Sequence, residues 1–233
     1  MNDAKYMSIY NYYRDKINKE EFKVGDQLPP ELEVAQHFNV SRLTANKALG
    51  ILSDEGYVER ISGKGTFVIN NTVVKPLGTI TSFTEDMRQM GLVAGSELLS
   101  FKMVVAKEVP TVKKKLNLND NDTLYYFVRK RTGNGLPIAL SYTYLVAKCL
   151  PSFDINALKH SLYEYLRGFG LIMGEMTCAI SSVMSTEEQM SLLDIKQTAM
   201  LKFSHVTYLK DRIPFEYIEI YYIGSRFVYE FGV

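Results

Sequence analysis

Residues 25–68 read GDQLPPELEVAQHFNVSRLTANKALGILSDEGYVERISGKGTFV. Pro29 and Pro30 cannot lie inside a helix but can open one. The apolar residues Leu32, Val34, Ala35 and Phe38 then follow at helical spacing. Asn39-Val40 predicts a turn. Ser41 restarts a helix, because its hydroxyl can accept an orphan backbone N–H. Leu43, Ala45, Ala48, Leu49 and Leu52 form the apolar set of that helix, and Gly56 suits its C-terminal stop. Beyond Gly56 the period falls to two. Tyr57–Ile61 predicts a strand, Ser62–Gly65 a tight turn and Thr66–Ile69 a return strand. Two short helices joined by a turn and followed by a hairpin make a helix-turn-helix with a wing. In that arrangement the second helix enters the major groove of DNA.

On the N-terminal side, Tyr6, Ile9, Tyr10, Tyr13 and Ile17 are spaced as one face of an amphipathic helix over residues 4–18. The whole chain is 233 residues with 46% hydrophobic and 23% charged residues, the balance of a soluble globule of one or two domains. No apolar run reaches the ~18–20 residues of a membrane span, and the first residues lack a signal-peptide core. Cys149 and Cys178 have no pairing pattern, which suits reduced thiols and a cytoplasmic protein. The net charge is +1, and residues 1–70 hold 9 Lys+Arg against 10 Asp+Glu. Charge balance alone therefore argues against DNA. The acids, however, fall largely away from Arg42, Lys47, Arg60 and Lys64, which share the expected DNA-facing side.

The motifs LPPE, VSRLT, ALGIL, EGYV and GKGTFV, in this order, make residues 5–69 resemble the winged-helix domain of the GntR family of bacterial transcription regulators. The resemblance implies a homodimer bound to double-stranded operator DNA. It places Ser41, Arg42, Thr44, Asn46 and Lys47 of the recognition helix, and Gly63, Lys64, Gly65 and Thr66 of the wing, against that DNA. The family usually has LPSER and TVR where this chain has LPPEL and TAN. Arginine favours guanine and asparagine favours adenine, so the operator is expected to contain more A·T than the family's common site.

Residues 70–78 (NNTVVKPLG) read as a linker, dividing a DNA-binding domain at 1–69 from a second domain at 79–233. That second domain is rich in strand-forming residues and contains an internal repeat at an offset of 77 residues. Leu116, Leu118, Leu124, Pro137, Ile138 and Tyr144 correspond to Leu193, Ile195, Leu201, Pro214, Phe215 and Tyr221. Each copy reads as a helix end, a strand, a polar turn closed by proline, and a second strand. Two such units predict one antiparallel sheet. The same region, through SFTEDMRQMG, RKRTGNGLPIALSYTYL, HSLYEYLRGFG and PFEYIEIYYIGSRF, resembles the UTRA effector-binding domain of the HutC subgroup. The fold class implied is α+β: a winged helix-turn-helix followed by an antiparallel-sheet domain like chorismate lyase.

Several residues of this domain suit a small anion. Ser82-Phe83-Thr84-Glu85 is a capping-box sequence, and a helix start offers free N–H groups to a negative ligand. Arg129 and Arg131 lie two apart on a strand and so share a face, where a phosphate or carboxylate can satisfy both guanidinium groups. Ser161 and Tyr163 add hydroxyls. Salt bridges to Glu216 or Glu219, and a plain helix cap at Ser161, are the competing readings. The subgroup resemblance implies that Thr84, Arg129, Arg131, Ser161 and Tyr163 hold the phosphate of a sugar phosphate, with Glu216 and Tyr222 toward the sugar. Ser82 and Phe83 at the helix start, and Ser141 after the hairpin proline, complete the expected effector-binding set. Members that bind amino-sugar phosphates usually have glutamate at the position of Ser141. Core packing is the competing role for Tyr222.

No HExxH, GxSxG or phosphate-loop motif occurs, and neither a cofactor nor a metal is expected. His205 reads as a satisfied core histidine, and neither cysteine has a histidine nearby in sequence. These observations point to a DNA-binding regulator, a repressor released by a small anionic effector, with a sugar phosphate the best fit. A non-phosphorylated carboxylate or phosphonate-pathway metabolite is the alternative effector, and an enzyme on the second domain is the distant alternative.

Overall fold

The computed structural model describes residues 3–19, 21–69, 73–76 and 81–230. The chain divides into two compact units: residues 1–72 with 134–136 and 186–197, and residues 73–133, 137–185 and 198–233.

In the first unit α1 (Asp3–Asn18) is followed by a two-residue strand, β1 (Gln27–Leu28), then α2 (Glu31–His37) and α3 (Arg42–Asp54). The wing strands are β2 (Val58–Ile61) and β3 (Gly65–Val68). Asn39 takes a left-handed conformation, φ 49°, in the turn between α2 and α3. Ser41 caps α3, accepting from the Thr44 amide at 3.2 Å. The helix ends in paired bonds from Gly56 N to Ser53 O and from Tyr57 N to Leu52 O, with Gly56 at φ +76°. Ile9, Tyr13, Val34, Ala45, Leu49, Leu52 and Val58 form the buried centre. The sheet order is β1-β3-β2, so the wing has a third strand that the sequence reading lacks. Leu43 and Leu32 also depart from that reading. Both were assigned to buried faces, yet they are 79% and 58% exposed. Helical spacing fixes a common face but does not say how far round the helix the core extends.

The second unit begins with β4 (Val73–Pro76), inside the segment expected to be linker. It pairs in parallel with β11 (Phe227–Glu230) near the end of the chain. Residues 70–72 and 77–78 of the expected linker lie outside the described residues. The main elements that follow are α4 (Phe83–Gln89), β5 (Ala94–Val105), α5 (Pro110–Lys115), β6 (Thr123–Gly133) and β7 (Leu136–Val146). Then come α6 (Leu162–Gly168), β8 (Met173–Met184), α7 (Glu187–Leu193), β9 (Ala199–Leu209) and β10 (Pro214–Ile223). By the division above, α7 groups with the first unit.

Six strands form a sheet in the order β5-β6-β7-β10-β9-β8. This order accounts for the internal repeat. Each copy contributes three consecutive strands, and the copies meet where β7 pairs antiparallel with β10. Tyr142 and Glu219, one repeat offset apart, are register partners there. Adjacent residues Leu145 and Val146 point to opposite faces, each into its own core. Leu145 packs with Phe127, Leu158, Leu162, Leu166 and Phe215, and Val146 packs with Val104, Val112, Leu116, Leu124 and Val206. Among the described residues no helix is long and apolar enough to cross a membrane.

Candidate effector cavity and DNA-facing surface

The second unit encloses a cavity of about 200 Å³. That is smaller than the ~300–1,000 Å³ of sites for drug-sized ligands, and it suits a metabolite. All ten residues singled out from the sequence line it: Ser82, Phe83, Thr84, Arg129, Arg131, Ser141, Ser161, Tyr163, Glu216 and Tyr222. Strand alternation puts Arg129 and Arg131 on one wall, and β10 presents Glu216, Ile218, Ile220 and Tyr222 from another.

Both arginines are deeply buried, at 1% and 7% exposure. Among the described residues neither has a carboxylate within ion-pair distance. The Arg129 Nε has no hydrogen-bond partner, and one terminal nitrogen reaches the Leu158 carbonyl at only 3.5 Å. Burial and the neighbouring Arg131 push the Arg129 pKa well below the ordinary arginine value, partly offset by Glu216 and Tyr163. Burial likewise brings Arg131 down to about 10. The Arg131 guanidinium sits over the Phe83 ring, 5.4 Å from its centre. The salt-bridge reading of the pair therefore fails. Glu219 binds Lys202 at 2.8 Å. Glu216 instead accepts hydrogen bonds from Tyr163 Oη at 2.7 Å and from Thr207 Oγ1 at 3.0 Å.

The helix starts are also in place. Ser82 and Ser161 cap α4 and α6, accepting from the amides of Glu85 at 3.2 Å and Glu164 at 3.4 Å. Ser161 is thus both a cap and a cavity wall. Only half of the expected Ser82 box forms, since Glu85 turns to Arg88. The complete box is Thr186 with Gln189. Ser141 Oγ reaches back to the Arg129 carbonyl at 3.5 Å. Tyr222 lines the cavity and also stacks on Phe227 at 3.6 Å, so its two proposed roles coincide.

Six polar lining residues were missed: Lys75, Thr81, Asp86, Cys178, His205 and Tyr229. Lys75 on β4 forms a buried ion pair with Asp86 on α4 at 2.7 Å, and the Thr81 hydroxyl also donates to Asp86. Cys178 and His205 are register partners across β8 and β9, so the histidine absent from the cysteine's local sequence stands on the adjoining strand. His205 is buried but not satisfied: among the described residues neither ring nitrogen has a hydrogen-bond partner. The cavity wall thus carries three cations, Lys75, Arg129 and Arg131, against two carboxylates, Asp86 and Glu216. The excess positive charge is buried, where it favours an anion.

In the first unit the DNA-facing candidates are mostly outward. The Arg42 side chain is exposed and bonds Glu31 at 3.2 Å, the Asn46 amide donates to Glu31 at 2.5 Å, and Arg60 also pairs with Glu31. Glu31 therefore gathers two recognition-helix side chains and one wing side chain. Lys47 lies over the Tyr6 ring at 3.9 Å. Gly63 and Gly65 hold φ +74° and +133° at the wing tip, with Gln27 Nε2 donating to the Lys64 carbonyl at 3.1 Å. Thr66 sits on β3 opposite Arg60. Thr44 corrects the expectation. It is 8% exposed and shares a 2.8 Å hydrogen bond with the Ser41 hydroxyl, so it braces the helix start and does not offer a groove-facing side chain.

The UTRA domain family matches residues 89–228, and the gntR family of bacterial regulatory proteins matches residues 5–68. The chain belongs to the GntR family. Its UTRA domain places it in the HutC subgroup. Similar curated proteins include the HTH-type transcriptional repressor NagR of Bacillus subtilis, 26% identical over 226 residues that cover 96% of this chain and 92% of NagR. The HTH-type transcriptional repressor PhnF of Mycolicibacterium smegmatis is 30% identical over 212 residues, covering 89% of this chain and 84% of PhnF. The crystal structure of PhnF from Mycobacterium smegmatis matches with TM-score 0.65 at 26% identity, covering 97% of this chain and 98% of that one. The GntR-family chain is accordingly a DNA-binding transcription regulator and not an enzyme. Regulators of this family bind operator DNA and typically act as dimers.

Proposed function

We propose that the protein is a homodimeric repressor whose operator binding is released by a small anion, best matched by a sugar phosphate. The observation that carries this reading is the pair of buried arginines without a carboxylate partner. Both guanidinium groups are almost fully buried and form no ion pair among the described residues, and a phosphate can accept from both forks at once. Recognition-helix residues Ser41, Arg42, Asn46 and Lys47, with wing residues Gly63, Lys64, Gly65 and Thr66, contact the operator. Asn46 favours adenine, and one of its amide hydrogens remains after the bond to Glu31. Selection from random DNA should therefore return half-sites with more A·T than the family's common site.

The coupling route begins at the start of α4. Ser82, Phe83 and Thr84 close on the anion, and Asp86, one turn on, is tied to Lys75 of β4. The DNA-binding unit precedes β4 in the chain, so closure of α4 draws on the strand to which that unit is attached. Effector and operator then compete through two arrangements of the dimer, with a coupling of about 1–3 kcal/mol typical of such switches.

The test uses full-length protein on the selected operator, read by fluorescence anisotropy. Sugar phosphates should release wild type. The Arg129→Ala/Arg131→Ala protein should bind operator normally and stay bound when sugar phosphate is added. Loss of operator binding in the folded double variant, or release by free carboxylates alone, breaks the scheme.

A further inference from the structure

The polar group in the cavity that the scheme above leaves unused is His205. Its ring is 7% exposed and lines the cavity. Among the described residues neither Nδ1 nor Nε2 has a hydrogen-bond partner. Buried polar groups are nearly always paired, so an orphaned one in a cavity calls for a ligand group or a water. Nε2 stands 3.8 Å from Glu216 Oε2, beyond the reach of a direct hydrogen bond. Oε2 already accepts from Tyr163 and Thr207, which uses its two lone pairs, so a ligand oxygen between the two residues would hydrogen-bond Nε2 and donate to Oε1. The ring is held from the side by Phe203, whose centre is 5.2 Å away. Among the described residues no group of three His, Cys, Asp or Glu side chains is placed to hold a metal ion.

Glu216 is an acceptor in the ionised form. Burial raises its pKa, but the His205 ring and the hydroxyls of Tyr163 and Thr207 hold it below the ordinary glutamate value. The ligand group must therefore donate to Glu216 and suit an imidazole in either tautomer. A hydroxyl does both, since it can donate and accept at once. An ammonium could donate to Glu216, but it cannot accept from a ring N–H and so suits only one tautomer of His205. Ser141, whose hydroxyl turns back to a backbone carbonyl, offers that ammonium no countercharge.

We propose that His205, together with Glu216, reads a hydroxyl at the end of the effector remote from its anion, and that this end is a neutral polyol. The proposal rests on the anion-cavity reading above and adds both a specificity residue and a ligand class to it.

The experiment is calorimetric titration of full-length protein with inorganic phosphate, glucose 6-phosphate, fructose 6-phosphate, ribose 5-phosphate and glucosamine 6-phosphate. In wild type the tightest neutral sugar phosphate should exceed glucosamine 6-phosphate by about tenfold or more. His205→Ala should weaken that neutral ester by about tenfold while leaving inorganic phosphate unchanged. His205→Gln, which keeps a donor and an acceptor, should restore part of the loss. The proposal is overturned if glucosamine 6-phosphate binds wild type tightest, or if the alanine variant binds the neutral ester as wild type does. It is also overturned if both the neutral ester and inorganic phosphate weaken together, since a structural role would do that. If wild type binds no phosphate, inorganic phosphate included, the anion-cavity reading falls and this proposal falls with it.

Discussion

The candidate DNA-facing surface and the candidate effector cavity both depend on arginines, and they treat them in opposite ways. Arg42 and Arg60 stand in or near water and already share Glu31. Arg129 and Arg131 are buried and have no carboxylate within ion-pair distance among the described residues. In water such a pairing is weak and exchangeable, so Glu31 can hold the DNA-facing side chains in place and release them to phosphates at little cost. Inside the cavity an unpaired cation is expensive and cannot be screened. The first arrangement preorganises a surface, and the second stores a demand for one kind of ligand.

The sharpest way to break this contrast is to create a third unpaired buried cation. Asp86→Ala should leave Lys75 alone in the interior and cost about 3–5 kcal/mol of stability, measured by urea unfolding. A cost near that of a surface pair would mean that water already reaches Lys75. The converse change, Arg129→Met, removes an unpaired charge and keeps much of the volume. It should stabilise the effector-free protein by about 1–3 kcal/mol while abolishing its thermal shift with sugar phosphate. Equal or lower stability would show that the guanidinium is adequately solvated in the empty cavity.

Changes in the DNA-binding unit should be smaller. Ser41→Ala removes the cap of the recognition helix and should cost about 1 kcal/mol, with weaker operator binding to match. Glu31→Gln should shift stability by no more than about 0.5 kcal/mol. Its effect belongs to DNA: with Arg42 and Arg60 freed, binding to random DNA should tighten, and the salt dependence should steepen by about one phosphate contact for each arginine that engages. Unchanged salt dependence would mean that Glu31 already lets go in the complex.

The same contrast explains what could be read in advance. The helices around the recognition element follow from local signals, namely the Pro29-Pro30 start, the Ser41 cap and the Gly56 stop, each within a few residues of what it controls. The arginine pair was legible because a spacing of two on a strand fixes a common face. His205 was misread because its environment is set by Cys178 on one neighbouring strand and Glu216 on the other, a matter of register and not of local spacing. Strand β4 reads as linker from local sequence because its partner, β11, lies at the far end of the domain. Lys75 and Asp86 escaped for the same reason. Leu43 shows the limit of periodicity, since helical spacing groups it with buried residues while its side chain faces outward.

The parallel pairing of β4 with β11 has a mechanical consequence. A load transmitted along the chain into Val73 acts along the axis of β4, which is also the axis of its partner. Four register pairs, from Val73–Phe227 to Pro76–Glu230, then resist together in shear and do not peel apart one after another. The first strand of the second unit is in this sense a splice, joined to a strand from the other end of the same unit.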